Sequence, residues 1–319
     1  HITSDDDGED KEKILREFRS GKYFFIFISP ERFQIKTFRD YFISVNKNFN
    51  IAYAVIDEVH CLSEWGHDFR TSYLTLADTI QKFCNNFTYI GLTATASTNV
   101  LKDIQIEFEI DHENVKTPSD YTREELEFLV VNDKNEKQKV LIELIENQRS
   151  EIGALEVNGN DTKCGIIFTP TVNGPKGCYK LSQELSNHFD SDIRYFSGSA
   201  PKGAFNTTAA NDRSFESYKR EVQDDFKENK YSLLAATKAF GMGINKGNVH
   251  YTVHYGIPSS VEALYQEAGR AGREKTKFIE RPAQCFVLLT KTHEDGALQR
   301  LWERSTKLSE IKAIQKANT

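Results

Sequence analysis

Short apolar runs, each closed by turn-forming residues, recur along the chain with helix-periodic stretches between them. This alternation is the signature of βα units wound into a parallel sheet. In the first third, 23–28, 51–57 and 88–93 read as buried strands, with helices near 31–44, 71–83 and 97–108. The rhythm then restarts, with strands near 126–131, 164–169, 192–196, 231–236, 249–255 and 283–289 and helices near 134–149, 176–189, 213–229 and 260–268. The pattern predicts an α/β chain with two parallel-sheet domains, and 319 residues are more than one core usually carries. The boundary is expected in the polar stretch 112–121 around Pro118, giving domains over 1–115 and 121–292 and a polar C-terminal helix over 293–319. Stretches 151–163 and 199–212, rich in Gly, Asn, Thr and Ala, read as mobile surface insertions.

Composition narrows the function classes. No apolar run approaches the roughly 20 residues of a membrane span. The five cysteines are scattered, with no Cys-x-x-Cys pair, which argues against a thiolate zinc site or a disulfide framework and for a reducing, intracellular compartment. Residues 1–120 carry 13 Lys and Arg against 20 Asp and Glu, and the remainder is nearly balanced. A nucleic-acid partner must therefore be held by a local groove and not by a global positive field.

Three segments carry chemistry. Ala54-Val55-Ile56-Asp57-Glu58-Val59-His60 is an apolar strand ending in adjacent carboxylates. Phosphoryl transfer from a nucleoside triphosphate needs one carboxylate on the Mg²⁺ side and one to orient the attacking water, roles open to Asp57 and Glu58 respectively. A strand running into an acidic turn would look the same. Gly91-Leu92-Thr93-Ala94-Thr95-Ala96 ends a second strand with hydroxyls that either couple it to the carboxylate strand or cap the helix begun at Ser97 or Thr98. Gln266-Glu267-Ala268-Gly269-Arg270-Ala271-Gly272-Arg273 sets two arginines on a small-residue scaffold that allows close approach, suited to bidentate phosphate contact or to a basic helix end. Upstream, Phe240-Gly241-Met242-Gly243-Ile244-Asn245-Lys246 is a Gly-rich turn.

The order of these segments resembles that of the superfamily 2 helicases. The likeness narrows to the RecQ family at Asp57-Glu58-Val59-His60-Cys61-Leu62-Ser63-Glu64-Trp65-Gly66-His67-Asp68-Phe69-Arg70, followed by Tyr73, which looks like the RecQ DExH box and its aromatic-rich loop. Ser29-Pro30-Glu31-Arg32 is similar to motif Ib, and Ala239 to Lys246 and Tyr265 to Arg273 are similar to motifs V and VI. The resemblance implies two RecA-like domains using ATP and Mg²⁺, with single-stranded and forked DNA as partner and movement 3′ to 5′. It implies that Asp57 holds Mg²⁺, that Glu58, His60, Gln266, Arg270 and Arg273 act in catalysis, and that Gly243 lies by the nucleotide. It further implies that Trp65, His67, Phe69 and Arg70 contact DNA with Ser29, Thr169 and Thr237, and that Thr93 and Thr95 couple the two events. Stacking on such aromatics is worth ~1–3 kcal/mol per base.

Departures from the family pattern are also visible. No Gly-x-x-x-x-Gly-Lys-Ser/Thr cradle occurs, and the one Gly-Lys pair, Gly21-Lys22, lacks its flanking residues. The expectation is that the first domain is incomplete at its N-terminus and that the chain alone does not turn over ATP. A DExH RNA helicase, or a non-hydrolysing nucleic-acid-binding scaffold, remain alternatives. The Val172-Asn173-Gly174-Pro175 ending after Thr169 and the Tyr195-Phe196-Ser197-Gly198 run differ from the usual second-domain DNA motifs, and no zinc-binding region is found in these residues.

Overall fold

A computed structural model describes the chain from residue 13 to 290, apart from 15, 19, 47–50, 63–70, 75, 84–86, 95, 118–121, 134, 205–208, 242–243 and 259. It divides into two compact units, His1–Ser119 and Asp120–Thr319. The expected C-terminal helix lies outside the described residues.

In the first unit, β1 (Tyr53–Ile56) pairs in parallel with β2 (Thr88–Gly91). Helices α1 (Lys36–Asn46), α2 (Thr71–Leu74), α3 (Leu76–Phe83) and α4 (Thr98–Glu107) accompany them. The core gathers Phe42, Ile56, Val59, Tyr73, Leu76, Ile80, Val100, Ile104 and Phe108 on one side of the strands. Ser97 caps α4 by accepting the Val100 N–H. Two expectations fail here. The run 23–28 forms no strand: only Ile28 makes a bridge, and Phe24, Phe25 and Phe27 are exposed. A run apolar on both faces needs a strand beside it and cover above and below, and the described residues supply neither. For the same reason β1 and β2 are buried on one face only, leaving Tyr53, Val55, Ile90 and Leu92 exposed.

The second unit is a six-stranded, fully parallel sheet in the order β3-β8-β7-β4-β6-β5. Its strands are β3 (Leu126–Asn132), β4 (Cys164–Phe168), β5 (Ile193–Phe196), β6 (Leu233–Ala236), β7 (Val249–His254) and β8 (Ala283–Leu289). Central β4 and β6 are buried at every position, as strands covered on both faces must be. Ile166, Phe168, Leu234 and Ala236 pack with Val222 and Phe226 of α7 (Ala209–Lys227) and Ala268 of α8 (Val261–Ala268). Ile167 and Leu233 point the other way, onto Leu141 and Ile145 of α5 (Lys137–Ile152) and Leu181 and Leu185 of α6 (Cys178–Phe189). Edge strand β5 is covered by side chains: Ser186 Oγ both accepts from and donates to the Ile193 backbone, and the Tyr218 hydroxyl donates to the Tyr195 carbonyl. Such cover blunts an edge that would otherwise template foreign strands. Stretch 151–163 is not a loose insertion. Gly153, at φ +71°, ends α5 in the left-handed conformation, and Ala154 and Thr162 are buried, with Thr162 held by Asn248. Much of 199–212 is either α7 or outside the described residues.

Candidate functional site

The candidate residues of the first unit lie at the C-terminal ends of its two strands. The ladder runs past β1 and β2, because Leu92 N–H donates to the Ile56 carbonyl and Val59 N–H to the Leu92 carbonyl. That continuation brings the turn 57–59 beside Thr93. Asp57 is exposed, and its carboxylate accepts the Glu58 N–H at 3.0 Å. Glu58 sits at φ +48°, a left-handed backbone that costs a residue with a Cβ roughly 1–2 kcal/mol. Strain of that kind gathers at functional turns. His60 is buried, and its Nδ1 lies 3.2 Å from Glu58 Oε2 and 2.9 Å from Thr93 Oγ1. Burial by itself pulls the imidazole pKa down, but hydrogen bonds of the ring with Cys61 and Glu58 reverse this and hold it up to about 9. In the charged form Nδ1–H donates and is shared between the carboxylate and the hydroxyl.

Two further contacts tie this turn to its surroundings. The Tyr73 hydroxyl donates to the Asp57 carbonyl at 3.1 Å, and the Ser72 hydroxyl donates to Glu31 at 3.1 Å. The residues that follow the aromatic-rich stretch are thus fastened both to the carboxylate turn and to the Pro30–Gln34 turn that Ser29 begins. Trp65, His67, Phe69, Arg70 and Thr95 lie outside the described residues. Lys22 of the Gly-Lys pair is engaged with Glu17 at 2.8 Å.

In the second unit the twin arginines follow α8, which Ser260 caps by accepting the Ala263 N–H. Gly272 N–H donates to the Val249 carbonyl, placing the turn at the N-terminal edge of β7. Arg273 Nε donates to the Gly269 carbonyl and Nη1 to Asn245 Oδ1 at 3.3 Å, so Asn245 of the Gly-rich turn reaches the arginine turn directly. Burial, then the charge of Arg123, pulls the Arg273 pKa below the usual guanidinium range. Helix α8 is anchored from below by buried His254, whose Nδ1 is 2.9 Å from Glu267 Oε2. Gln266 and Arg270 are half-buried, and Gly243 lies outside the described residues. The small residues of the scaffold do allow close approach, but what approaches is the chain itself: a Cβ on Gly272 would meet the Glu125 carbonyl at 2.9 Å.

Thr169 and Thr237 sit at the opposite, C-terminal end of the sheet from the arginines. Thr169 is 4% exposed and its hydroxyl donates to the Thr171 carbonyl, so it shapes the following loop and offers no hydroxyl to a phosphate. Thr237 is 9% exposed, and its N–H donates to the Phe196 carbonyl. Among the described residues no group of three or more His, Cys, Asp or Glu could hold a metal, and no helix is long and apolar enough to cross a membrane. Asp57 does fit Mg²⁺ of the kind that keeps its waters and takes its other ligands from nucleotide phosphates, since its carboxylate is exposed and bonded only to an amide among the described residues. When bound, such an ion neutralises phosphate charge. Arg123, Glu125, Ser72 and Glu31 escaped the sequence reading of roles, because their importance lies in contacts between segments far apart in the chain.

Residues 1–104 match the family model of the DEAD/DEAH box helicase and 136–275 that of the helicase conserved C-terminal domain. The chain is 31% identical over 300 residues to ATP-dependent DNA helicase RecQ of Bacillus subtilis (strain 168), covering 94% of this chain and 44% of the relative. It is 29% identical over 285 residues to ATP-dependent DNA helicase Q5 of Mus musculus, covering 89% of this chain and 26% of that one. The chain thus spans less than half the length of these curated relatives. Among solved structures, the DUF1998 helicase MrfA bound to DNA and AMPPNP superposes with a TM-score of 0.63 at 17% identity, over 94% of this chain and 38% of that one. Lhr of Mycobacterium smegmatis, bound to single-stranded DNA and AMP-PNP, gives 0.57 at 14%, over 94% and 36%. At such identities the likeness shows the fold alone, which is RecA-like α/β. Family models and relatives together identify the chain as a RecQ-like superfamily 2 helicase core.

Proposed function

We propose that the intact protein is an ATP-dependent DNA helicase that moves 3′ to 5′ on single-stranded DNA and separates duplexes, with hydrolysis drawing on residues of both units. The observation that carries this reading is the strained Asp57-Glu58 turn at the end of β1, with Glu58 joined through His60 to Thr93 at the end of β2. It supplies a carboxylate for Mg²⁺, a second to orient water and a wire from hydrolysis to the neighbouring strand. Arg270 and Arg273 supply the positive charge that phosphoryl transfer needs at the γ-phosphate. Tyr73 and Ser72, which follow the aromatic-rich stretch in the chain, bond to the carboxylate turn and to Glu31 of the Ser29 turn, and the stretch is read as the DNA-facing element. The 319 residues contain no phosphate cradle, so the chain by itself is expected to leave ATP unhydrolysed.

The test is ATP hydrolysis by the intact protein without nucleic acid, with single-stranded DNA and with single-stranded RNA, using Glu58→Gln as control. Strong stimulation by DNA, lost in Glu58→Gln while ATP still binds, is the expected result. Stimulation by RNA alone would replace the reading with an RNA helicase, and no hydrolysis at all with a scaffold.

A further inference from the structure

The segment that opens the second unit grips the twin-arginine turn. Arg123 donates from one planar guanidinium in three directions: Nε to Glu125 Oε2 at 3.1 Å, and Nη2 to the carbonyls of Ala271 at 3.3 Å and Gly272 at 3.0 Å. Those carbonyls belong to the residues between Arg270 and Arg273. Glu125 is 8% exposed and is held from its other side by Lys275 at 2.6 Å. Hydrogen bonding to Lys275 outweighs burial and, with Arg123, draws the Glu125 pKa down to about 2. Its backbone carbonyl also accepts the Ala283 N–H, which fixes the segment to the start of β8. Gly272 is shaped to this grip: it adopts φ +65°, and a Cβ there would strike the Glu125 carbonyl and Leu126 Cδ2, both at 2.9 Å.

We propose that Arg123, oriented by Glu125, is a positioning residue that sets the aim of Arg270 and Arg273 by holding the backbone between them. Two features separate this role from simple packing. The planar guanidinium fixes direction as well as distance: Nη2 donates to two successive carbonyls while Nε is held by Glu125, which sets the orientation of that peptide turn. After burial, the positive charge of Arg123 is the second influence that disfavours protonated Arg273, so the guanidinium holds these carbonyls at a like-charge cost. Misplacing a transition-state contact by about 1 Å costs on the order of 100-fold in rate. The inference rests on the reading of Arg270 and Arg273 as γ-phosphate residues.

The experiment uses the intact protein and two readouts: kcat and KM for DNA-stimulated ATP hydrolysis, and the affinity for ADP with and without aluminium fluoride, which mimics the transferring phosphoryl group. Arg123→Ala should lower kcat roughly 10- to 100-fold, leave KM for ATP and the affinity for ADP within about threefold, and abolish the tightening by aluminium fluoride. Arg123→Lys, which keeps the charge and loses the fork, should resemble Arg123→Ala. Glu125→Gln, which frees the Nε end without shortening a side chain, should fall between these and the wild type and stands in if Arg123→Ala does not fold. The proposal is overturned if Arg123→Ala or, in its place, Glu125→Gln retains kcat and the aluminium fluoride effect, or if Arg123→Lys restores both. A parallel loss of ADP affinity and melting temperature would likewise overturn it, as damage to the fold. Arg270→Ala and Arg273→Ala are run alongside; if both keep the aluminium fluoride effect, the reading of the twin arginines fails, a result separable from any outcome at Arg123.

Discussion

Glu58→Gln tests whether a carboxylate keeps His60 charged at the Asp57-Glu58 turn. Glu58 Oε2 is 3.2 Å from His60 Nδ1, whereas Cys61 Sγ is 3.9 Å from Nε2 and is a weak partner at that distance. Two unit charges at 3.2 Å attract by about 1.3 kcal/mol even at the dielectric of water. That equals about one pKa unit. The Glu58 side chain is 46% exposed, so solvent screening keeps the interaction near this lower figure. Glu58→Gln should therefore bring His60 from about 9 down by about one unit or more, while Cys61→Ala should move it by less. The assay is a titration of the histidine ring protons, with His60 assigned by its loss in His60→Gln. Because the folded pKa lies above the ordinary 6.5, the bound proton favours the folded turn. That contribution is complete below 6.5 and disappears as pH rises through about 9, so the wild type should lose about 3 kcal/mol of stability over this window and Glu58→Gln should lose less, by about 1 kcal/mol or more. A wild-type His60 that titrates near 6.5, or one unmoved by Glu58→Gln, would refute the reasoning.

Trp65→Ala should reduce the DNA-stimulated part of ATP hydrolysis more than the basal part, and equal stimulation in the variant would remove the aromatic-rich stretch from coupling. Tyr251 is wholly buried with its ring across Gly165, and its hydroxyl finds no partner among the described residues. Tyr251→Phe should be neutral or stabilising by up to about 1 kcal/mol in urea unfolding, and a loss larger than that would show a hidden partner. Gly272→Ala combines a positive φ with contacts of 2.9 Å and should cost about 2–4 kcal/mol and lower kcat; an unchanged melting curve would mean the turn can move away from Glu125 at little cost.

Periodicity and local chemistry determined most of the elements. The alternation of apolar runs and helical stretches places every strand of the six-stranded sheet within two residues of its observed ends, because parallel strands buried on both faces read as continuous apolar runs. The position of Asp57, Glu58 and Thr93 just past the strand ends was legible too, since abrupt polar ends to apolar strands are written in consecutive residues. What the sequence could not determine is whether a run has neighbours. Segment 23–28 is as apolar as β1 yet forms no strand, and Tyr53 and Val55 are exposed, because burial depends on what lies beside a strand. Nor could local sequence assign Thr169, a hydroxyl at a strand end like Thr93, to the inside of its own loop. Arg123 stands among charged residues that look like a solvated linker, and only the return of the chain 148 residues later places the arginine turn against it. Contacts set by topology join segments with no common period or spacing, so the tertiary structure alone decided that the twin arginines are held from the far end of their own domain.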